Sequence, residues 1–511
     1  MRGSPAEVSG RRTERLVVVL LATFGAVFAL VLPPCQAPDE HGHFLRAYSV
    51  SEGHFVPRQK VAGWGADDLP KSVTAFLSYV RFIGRSDLKV TEADLGANRV
   101  PLDPADREVH VFGAVGAYPF VPYLPQAIGI AVARWGHLDA LTAFYAGRLA
   151  NLAASVSLIW LAVRIVPAFK LTFGVLALLP MAVQQIASHS PDSITIALTF
   201  LLTALLLRMA IGDDPVKPAW VVAACILTVV LAFSKPPYAL VAVFYLAVPA
   251  ERLGSRLRYL AVGGALAVLL VASMAASARF TKEYSPDTME VDGWLVPGRF
   301  TRSLSGQVEA IKADPQRLVE ACVATTIDHG ARWIEMLSRL GWGEAAINPL
   351  AAQVYLWFVV VAVVLDQASG PVLSVRLKWA AALAASLGFG MVLTSAYIGF
   401  SAVGGRVIEG IQGRYLLPLL PMAALTLSLR GIRVQADPRL LRLVILMGST
   451  AMLGLAVAVL VRRYYLAEEA EWLAPTRTVS VVTLLMVVAA AAGSARALHR
   501  AGRDEHHVLG G

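Results

Sequence analysis

Long, uncharged and mostly apolar runs recur along this 511-residue chain, from Val17 to Ala495. A run of about 18 or more apolar residues is long enough to cross the hydrocarbon core of a bilayer as a helix. Only 16% of the residues are charged, whereas soluble domains usually carry about 25%. An outer-membrane barrel is excluded because its strands would alternate polar and apolar residues. The sequence therefore predicts an all-α, polytopic integral membrane protein.

The chain contains thirteen apolar segments, and one of them differs from the rest. The segments lie near residues 16–34, 118–135, 141–163, 171–188, 192–208, 218–234, 236–250, 259–278, 349–366, 379–400, 414–430, 443–461 and 478–495. The segment 118–135 holds three prolines. Proline interrupts the hydrogen bonds of a helix backbone, and lipid offers no replacement partners. This composition favours a segment that does not cross the membrane.

The distribution of Lys and Arg among the short loops decides the topology. If residues 118–135 do not span, the short loops on the side of the N-terminus hold 16 Lys and Arg residues, and those on the other side hold 6. Cytoplasmic loops of membrane proteins are enriched in Lys and Arg. We therefore predict about twelve transmembrane helices with both termini in the cytoplasm. Residues 118–135 then form a juxtamembrane helix at the outer face.

This topology divides the chain into three parts. A cytoplasmic N-terminus covers residues 1–15, a single transmembrane domain covers residues 16–495, and a cytoplasmic tail covers residues 496–511. Two large extracytoplasmic segments, residues 35–140 and 279–348, belong to the transmembrane domain. Both mix aromatic residues, prolines and charges, which predicts that they are folded.

The segment that follows the first span carries a concentrated set of polar residues. Asp39 and Glu40 lie at its start. In a helix, Asp39, His43 and Arg46 would share one face. Carboxylates beside a histidine can act as a general base or hold a divalent cation. The alternative is a capped helix start in which the acids complement the helix dipole.

A second motif stands where an apolar span begins on the outer side. Arg414 lies there between Gln412 and Tyr415, two residues after the first and one before the second. An arginine at this depth can extend towards the lipid headgroups. It can equally bind a phosphate through two parallel hydrogen bonds. Both interpretations stay open on the pattern alone.

Three further charges lie near the same predicted face of the membrane. Asp192 follows a short outer turn, Lys235 interrupts an apolar run, and Arg148 lies inside a span one turn from its outer end. Asp192 could cap a helix or line a pocket, and Lys235 could anchor the chain at the headgroups or bind phosphate. A charge within a span is a functional hypothesis by default, although Arg148 is close enough to the surface to extend towards it. A lipid-linked phosphate donor would require such cations together with a carboxylate.

Four short motifs are spread over most of the chain. They are Pro-Asp-Glu-x-x-His-Phe-x-Arg-Ala at 38–47, Leu-Pro-Met at 179–181 leading to Ser-x-Asp at 190–192, Lys-Pro-Pro-Tyr at 235–238 and Gln-Gly-Arg-Tyr-x-x-Pro at 412–418. With these motifs the chain resembles a family of bacterial membrane proteins known as domain of unknown function 2142. That family is similar to the GT-C glycosyltransferase superfamily. The resemblance implies many spans, a catalytic first outer loop with juxtamembrane helices, and sugar donors carried on polyprenyl phosphate.

The resemblance implies a base at Asp39 and a phosphate ligand at Arg414, and the charges and motifs described above supply the other assignments. The residues assigned to catalysis are Asp39, as the base, with Glu40 and His43. Those assigned to the donor phosphate are Arg414, Lys235 and Arg148. Those expected elsewhere in the pocket are Arg46, Asp192, Gln412 and Tyr415. Asp39 and His43 could also hold a divalent metal, Mg or Mn, and no nucleotide cofactor is expected.

The resulting hypothesis is a multi-pass enzyme of the bacterial inner membrane. It would transfer a hexose or pentose from a polyprenyl-phosphate donor to a glycan, lipid or protein acceptor of the cell envelope, on the extracytoplasmic side. No nucleic-acid partner is expected, because the basic residues fall in short loops rather than along a stripe with aromatic residues. The partners are then the donor, the acceptor and the lipid bilayer.

Two other classes of function fit a chain of this kind. One is a transporter or flippase of a lipid-linked or small polar substrate, and the other is a non-catalytic envelope assembly protein. Clustering of Asp39, Asp192, Lys235 and Arg414 around one outward cavity would favour the enzyme. A central cavity that reaches both faces would favour transport.

Overall fold

The computed structural model describes residues 5–293, 298–368, 370–428 and 438–466. Most of these residues are helical. The predicted span 478–495 and the predicted tail 496–511 lie outside the described residues.

Seventeen α-helices and seven strands occur in the described part of the chain. The helices are α1 (Pro5–Val31), α2 (Glu40–Ser51), α3 (Glu92–Ala97), α4 (Leu124–Trp135), α5 (Ala140–Ile165), α6 (Lys170–Ala177), α7 (Pro180–Ile186), α8 (Asp192–Ile211), α9 (Pro218–Ser234), α10 (Pro236–Ala239), α11 (Arg256–Glu283), α12 (Leu304–Ala313), α13 (Pro315–Glu335), α14 (Pro349–Ala368), α15 (Val375–Phe400), α16 (Leu420–Thr426) and α17 (Pro438–Tyr465). The strands are β1 (Gln59–Val61), β2 (Trp64–Pro70), β3 (Arg107–Val111), β4 (Thr288–Asp292), β5 (Arg299–Ser303), β6 (Arg339–Leu340) and β7 (Ala345–Ala346).

Seven of the described helices are long and apolar enough to cross a membrane. They are α1, α5, α8, α11, α14, α15 and α17. The apolar helix α9 has 17 residues and falls just short of that length. The protein is therefore a helical multi-pass membrane protein, but the predicted count of twelve spans is not confirmed.

Three of the predicted spans are instead pairs of short helices. The pairs are α6 with α7, α10 with a 3₁₀ helix at Leu240–Ala247, and a 3₁₀ helix at Gly413–Leu419 with α16. Pro180, Pro236 and Pro421 each lie in the first turn of one of these helices. Proline lacks an N–H and disfavours the helical conformation in the residue before it. Pro180 and Pro421 therefore interrupt the apolar segments in which they stand, whereas Pro236 follows the end of α9 at Ser234.

The helix α8 lies at the centre of the helical assembly. In its most apolar stretch 89% of the residues are buried, compared with 22% in α11. The two helices differ because α8 packs against α5, α9 and the 3₁₀ helix Leu240–Ala247, whereas α11 exposes side chains such as Leu257, Val268 and Val271. Apolar exposure of this kind is typical of a helix that faces lipid.

Both segments predicted to be extracytoplasmic contain regular structure. Between α1 and α5 lie α2 and an antiparallel sheet in the order β1-β2-β3, with Ala66 opposite Val111. Between α11 and α14 lie the hairpin β4–β5, the helices α12 and α13, and the short hairpin β6–β7. The side of the membrane on which these segments lie stays a prediction.

The segment 118–135 contains one short α-helix, α4, which follows a 3₁₀ helix at Val121–Tyr123. Its 12 residues extend over about 18 Å, which is less than the hydrocarbon core of about 30 Å. Its exposed apolar side chains are Leu124, Ile128, Val132 and Trp135. The opposite side packs so closely against α5 that a Cβ atom on Gly129 would lie 2.2 Å from the carbonyl oxygen of Ala146. A place for α4 at the bilayer surface stays a prediction.

Candidate functional site

Four charged side chains from four separate segments converge near the start of α8. Arg414 Nη2 donates a hydrogen bond to Asp39 Oδ2 at 3.3 Å, and Arg414 Nε lies 3.5 Å from Asp192 Oδ2. Lys235 Nζ forms an ion pair with Asp192 Oδ1. We call these four residues the ionic cluster. Two carboxylates and two cations thus alternate in one chain of contacts.

Each member of the ionic cluster lies where a regular element begins or ends. Asp39 precedes α2, and Asp192 is the first residue of α8. Lys235 lies between α9 and α10 in an extended conformation. Arg414 lies in the first turn of the 3₁₀ helix Gly413–Leu419. The proline-broken segments therefore place polar side chains at helix ends, close to one another.

Asp39 has a strained backbone and an accessible carboxylate. Its φ of 61° and ψ of 11° lie in the left-handed region, which costs a residue other than glycine on the order of 1 kcal/mol or more. Its carbonyl oxygen accepts the hydrogen bond from His43 N–H at 3.1 Å that starts α2. Its side chain is 47% exposed, in contrast to those of its partners. The cluster is thus open on the side of Asp39.

Arg414 is a buried cation whose hydrogen-bonding capacity is only partly used. Its side chain is 5% exposed. Its Nε and Nη1 atoms have no hydrogen-bond partner within the described residues. A buried guanidinium whose Nη1 is open can donate charge-assisted hydrogen bonds to an anion from that end of the group.

Aromatic rings surround the two cations of the ionic cluster. Lys235 Nζ lies 5.5 Å from the ring centre of Tyr118 and 4.9 Å from that of Tyr415. The guanidinium of Arg414 lies 5.5 Å from the ring centre of Tyr415. Tyr238 Oη donates to the carbonyl oxygen of Tyr415 at 2.9 Å and holds that turn in place. These rings partly exclude water from the cations while attracting positive charge.

The predicted pocket residue Gln412 caps the turn that carries Arg414. Its carbonyl oxygen accepts a hydrogen bond from the Tyr415 N–H at 3.0 Å. Gln412 therefore shapes the backbone at Arg414, and Tyr415 contributes its ring to the cluster.

His43 is a buried neutral imidazole beside the ionic cluster. Its Nδ1 atom lies 2.9 Å from Tyr123 Oη, and its ring packs against Tyr118. Burial lowers the pKa of His43 well below its ordinary value, and the positive charges of Arg414 and Lys235 act in the same direction. At neutral pH the ring therefore carries no charge, and it can donate one hydrogen bond and accept another.

Glu40 and Arg148 form a separate, fully buried pair. Arg148 donates to both carboxylate oxygens of Glu40, from Nε at 2.8 Å and from Nη2 at 2.6 Å. Its remaining N–H groups donate to the backbone carbonyls of residues 29, 32 and 33. Glu40 also accepts from the His189 N–H at 3.1 Å. All five donors of Arg148 are thus engaged.

This arrangement corrects two of the sequence-based assignments. Instead of contributing to a phosphate site, Arg148 binds Glu40 and the backbone of the turn after α1. Glu40 has no exposed surface and its carboxylate is occupied by Arg148, so the structure does not offer it to an acceptor. Both residues instead fix the turn on which Asp39 lies.

Arg46 also lies away from the ionic cluster. It has no exposed surface, and it donates to the carbonyl oxygens of His54 and Phe55 at 2.9 and 2.6 Å. A further hydrogen bond reaches Ser49. Arg46 therefore holds the chain after α2 against that helix, and the helical face that was predicted to carry it with Asp39 does not form one site.

The residues that were expected to hold a metal do not form a metal centre. No group of three or more His, Cys, Asp or Glu side chains lies together in the part of the chain that the structure describes. Asp39 contacts a cation, Arg414, and the Nδ1 atom of His43 is paired with Tyr123. The donor set does not fit Mg or Mn, which prefer several oxygen ligands.

Tyr118 and Tyr123 are site residues that the sequence motifs did not indicate. Both lie just before α4, and both contact His43. Burial raises the pKa of Tyr118, although the positive charge of Lys235 opposes that shift. Their only signal in the sequence is an aromatic pair among the prolines of the segment 118–135, which is predicted not to span.

The fold and the ionic cluster together define a multi-pass membrane protein with a buried polar site where several helices end. The chain belongs to the family described as "Predicted membrane protein (DUF2142)", whose model matches residues 22–423. This match confirms the resemblance drawn from the four motifs, and the similarity of that family to GT-C enzymes stays a prediction. No curated protein and no solved structure matches the chain significantly.

Proposed function

We propose that this protein is a membrane glycosyltransferase that moves a sugar from a polyprenyl-phosphate donor to a cell-envelope acceptor on the extracytoplasmic face. The observation that carries the proposal is the ionic cluster, in which a buried arginine with open donors contacts an exposed carboxylate. Transfer of a sugar from a lipid phosphate requires both groups side by side. The cations stabilise the phosphate that leaves, and the carboxylate removes a proton from the acceptor.

Arg414 and Lys235 are the proposed phosphate ligands. The Nη1 atom of Arg414 has no hydrogen-bond partner among the described residues, and one of its N–H groups, together with the adjacent N–H of Nη2, can form two parallel hydrogen bonds to phosphate oxygens. Lys235, on the other side of Asp192, contributes a second positive charge. Because both cations are almost fully buried, their attraction for a phosphate is screened less by water than it would be at the surface.

Asp192 has a positioning role in this proposal. Its carboxylate lies between Lys235 and Arg414 and is 2% exposed. It reduces the repulsion between the two cations and holds them at fixed positions before a phosphate arrives. Groups that are already oriented need no rearrangement as charge develops on the leaving phosphate.

Asp39 is the proposed catalytic base. A phosphate bound to Arg414 would lie beside Asp39, since the two side chains are 3.3 Å apart. The acceptor hydroxyl gives its proton to the Asp39 carboxylate, and its oxygen forms a bond to the anomeric carbon. The bond from that carbon to the phosphate oxygen breaks, and the lipid phosphate leaves with the electron pair. A single displacement of this kind inverts the anomeric configuration.

His43 supports the acceptor side of the reaction. Its ring is held by Tyr123 at 2.9 Å, so its position is fixed although it carries no charge. A neutral imidazole can orient a hydroxyl by hydrogen bonding without repelling the proton that moves to Asp39.

A transfer assay tests the proposal directly. The purified protein in proteoliposomes is supplied with a cell-envelope fraction and with undecaprenyl phosphate that carries radiolabelled mannose, glucose or arabinose. We expect label to enter the envelope fraction, and we expect Asp39→Asn to lower turnover by roughly 10²–10⁴-fold because the amide cannot take up a proton. Asp103→Asn, a change at an exposed residue of the same outer segment, serves as the matched control.

The two variants separate catalysis from folding. Asp39→Asn should bind undecaprenyl phosphate nearly as well as the wild type, because Arg414 and Lys235 are unchanged. Near-full transfer by Asp39→Asn in an assay that detects the wild type would show that Asp39 is not the base. No transfer from any of the donors by wild-type protein that binds undecaprenyl phosphate would count against the enzyme itself.

A further inference from the structure

The short hairpin β6–β7 presents one tryptophan from a sharply bent turn. Gly341 and Gly343 flank Trp342 with φ values of 63° and 101°, a region that residues with a side chain rarely adopt. Gln184 of α7 holds the turn through two hydrogen bonds to Gly341. Its Oε1 accepts from the Gly341 N–H at 2.7 Å, and its Nε2 donates to the Gly341 carbonyl at 3.4 Å. The turn is therefore held in one conformation with Trp342 at its tip.

Trp342 is held against the turn that carries Asp39. Its Nε1–H donates to the carbonyl oxygen of Cys35 at 3.0 Å, in the segment between α1 and α2. Its ring lies nearly parallel to that of His41, with 6.4 Å between the ring centres and 21° between the planes. Both side chains are half-buried, so each keeps part of its surface accessible. Trp342 and His41 therefore form an aromatic surface, called here the aromatic wall, and His41 lies two residues after Asp39 in the chain.

His41 contributes hydrogen-bonding capacity to this wall. Its Nδ1 atom is buried without a hydrogen-bond partner among the described residues, so no group there fixes its tautomer. Burial lowers the pKa of His41, although the Asp39 carboxylate acts in the opposite direction. A neutral ring with an unfixed tautomer can either donate to a hydroxyl group or accept from one.

We propose that Trp342 and His41 form the subsite for the sugar ring of the donor. This inference rests on the proposed function, because the phosphate position is set by Arg414. With the phosphate on Arg414 and the anomeric carbon beside Asp39, the sugar ring extends towards the residues next to Asp39. A sugar ring has an apolar face of C–H groups, which packs on an indole, and a rim of hydroxyls, which hydrogen-bond to imidazole.

Binding measurements test the subsite without requiring turnover. The full-length protein in nanodiscs is titrated with undecaprenyl phosphate and with undecaprenyl phosphate that carries mannose, glucose or arabinose. We expect at least one sugar to increase the affinity of the wild type over that for undecaprenyl phosphate alone. Trp342→Ala should lower the affinity for the sugar-bearing ligand about five- to tenfold, the scale of one aromatic contact. It should leave the affinity for undecaprenyl phosphate unchanged.

Two further variants show whether a change in affinity comes from the lost side chain or from a disturbed structure. Trp342→Phe keeps an aromatic face but not the N–H bond to Cys35, and we expect it to retain most of the sugar-dependent increase. His41→Ala should reduce the increase for the sugar whose hydroxyl it contacts. Unchanged affinity of either alanine variant for undecaprenyl phosphate shows that the ionic cluster is intact.

The possible outcomes distinguish the subsite from the proposed function. If Trp342→Ala binds every ligand as the wild type does, or if no sugar raises the affinity of the wild type, the subsite is wrong while the phosphate site stands. If methyl glycosides bind the wild type but not Trp342→Ala and the donor affinities are unaffected, the wall holds an acceptor sugar and the donor assignment is wrong. If the wild type does not bind undecaprenyl phosphate, the proposed function itself fails.

Discussion

The ionic cluster depends on the contacts among its four members, Asp39, Asp192, Lys235 and Arg414, as much as on the chemistry of each side chain. Asp192 allows two cations to lie close together in a buried place, and Arg414 brings Asp39 to the same point. A buried charge without a partner would cost several kcal/mol. The alternation of signs is therefore what makes a buried cation with open donors tolerable in this fold.

Arg414 provides the sharpest test of phosphate recognition at the scale of a residue. Arg414→Lys keeps the positive charge but loses the planar group that forms two parallel hydrogen bonds. We expect the binding of undecaprenyl phosphate to weaken by about 1.5–3 kcal/mol, the scale of a hydrogen bond to a charged group. Titration of the protein in nanodiscs measures this change.

Arg406→Lys is the matched control for that experiment. Arg406 is exposed and lies eight residues before Arg414 in the same connection between helices. It should bind undecaprenyl phosphate as the wild type does. Equal losses in both variants would indicate general attraction of an anionic lipid to basic residues rather than a site at Arg414.

The buried imidazole of His43 predicts a dependence of stability on pH. Its pKa in the folded protein lies well below the ordinary value of a histidine because of burial and the nearby cations. Below about pH 6.5 the unfolded chain takes up a proton at this residue that the folded protein does not, so the free energy of unfolding falls as the pH falls. His43→Gln keeps a group that can pair with Tyr123 and should reduce this dependence.

Thermal unfolding in detergent between pH 7.5 and pH 5 measures the effect of His43. The midpoint of the wild type should fall with decreasing pH by more than that of His43→Gln. His137→Gln, a change at an exposed histidine, should behave as the wild type does. A dependence on pH that is the same in all three proteins would exclude His43 as its source.

Helix ends, rather than helix faces, build the site at the scale of the elements. The helices α7, α10 and α16 each have a proline in the first turn, and the breaks before them interrupt segments that would otherwise be continuous. Helix termini leave backbone groups that need polar partners, so charged and polar side chains are tolerated there at depth. Lys235 precedes the proline that starts α10, and Arg414 lies in the first turn of the 3₁₀ helix Gly413–Leu419, so both charged residues lie at helix ends inside the assembly.

The pair of Glu40 and Arg148 joins α5 to the turn between α1 and α2. Glu40→Gln leaves the buried Arg148 without its counter-ion, and we expect the free energy of unfolding to fall by about 3–5 kcal/mol. Glu283→Gln breaks an exposed ion pair with Lys60 and should cost no more than about 1 kcal/mol. Thermal unfolding of the two variants in detergent compares them.

A double variant distinguishes lost charge pairing from other damage at this position. Combining Glu40→Gln with Arg148→Met removes both charges and should recover part of the stability, because a buried pair can often be replaced by apolar side chains. Similar small losses in Glu40→Gln and Glu283→Gln would show that the buried pair contributes little.

The sequence predicted the positions of most helices but not their continuity. Each apolar segment that could be read from the sequence coincides with helical structure in the described residues, because a long apolar run in lipid has little alternative to a helix. The interruptions at Pro180 and Pro421 were not predicted, since a proline in the first turn of a new helix and a proline that kinks one helix look alike in a sequence. The break at Lys235, just before Pro236, was predicted from the sequence.

The site was predictable only in part, for a related reason. Motif residues such as Asp39, Lys235 and Arg414 meet as the clustering of charges at one membrane face suggested. The pairing of Arg148 with Glu40 was not predicted, because the two residues are separated by 108 positions and a charge inside a span gives no indication of its partner.

The end of α17 shows how the two large segments lie relative to each other. The end of α17 is fixed to the segment between α1 and α5, since the Val90 N–H donates to the Tyr464 carbonyl at 2.8 Å and Arg463 Nη2 donates to the Phe82 carbonyl at 2.7 Å. Arg463 also pairs with Glu344 of the segment between α11 and α14. The two large segments that are predicted to be extracytoplasmic and the end of α17 therefore lie on one side of the molecule.

Labelling in intact cells tests which side of the membrane this is. On a background in which Cys225 and Cys322 are replaced by serine, Asp103→Cys should react with a membrane-impermeant thiol reagent. Glu251→Cys, at an exposed position in a loop predicted to be cytoplasmic, should react only after the membrane is permeabilised. The opposite pattern would invert the topology and place the ionic cluster in the cytoplasm.

The central position of α8 has a consequence for how the protein responds to its membrane. The ionic cluster includes the first residue of α8, and 89% of the residues in the most apolar stretch of that helix are buried in protein. In α11 only 22% are buried, so most of that helix would face lipid. Hydrophobic mismatch acts on helices that touch lipid, which tilt or recruit flanking side chains to match the bilayer. A thinner or thicker bilayer should therefore reorient α11 and leave α8, with Asp192 at its tip, almost where it was.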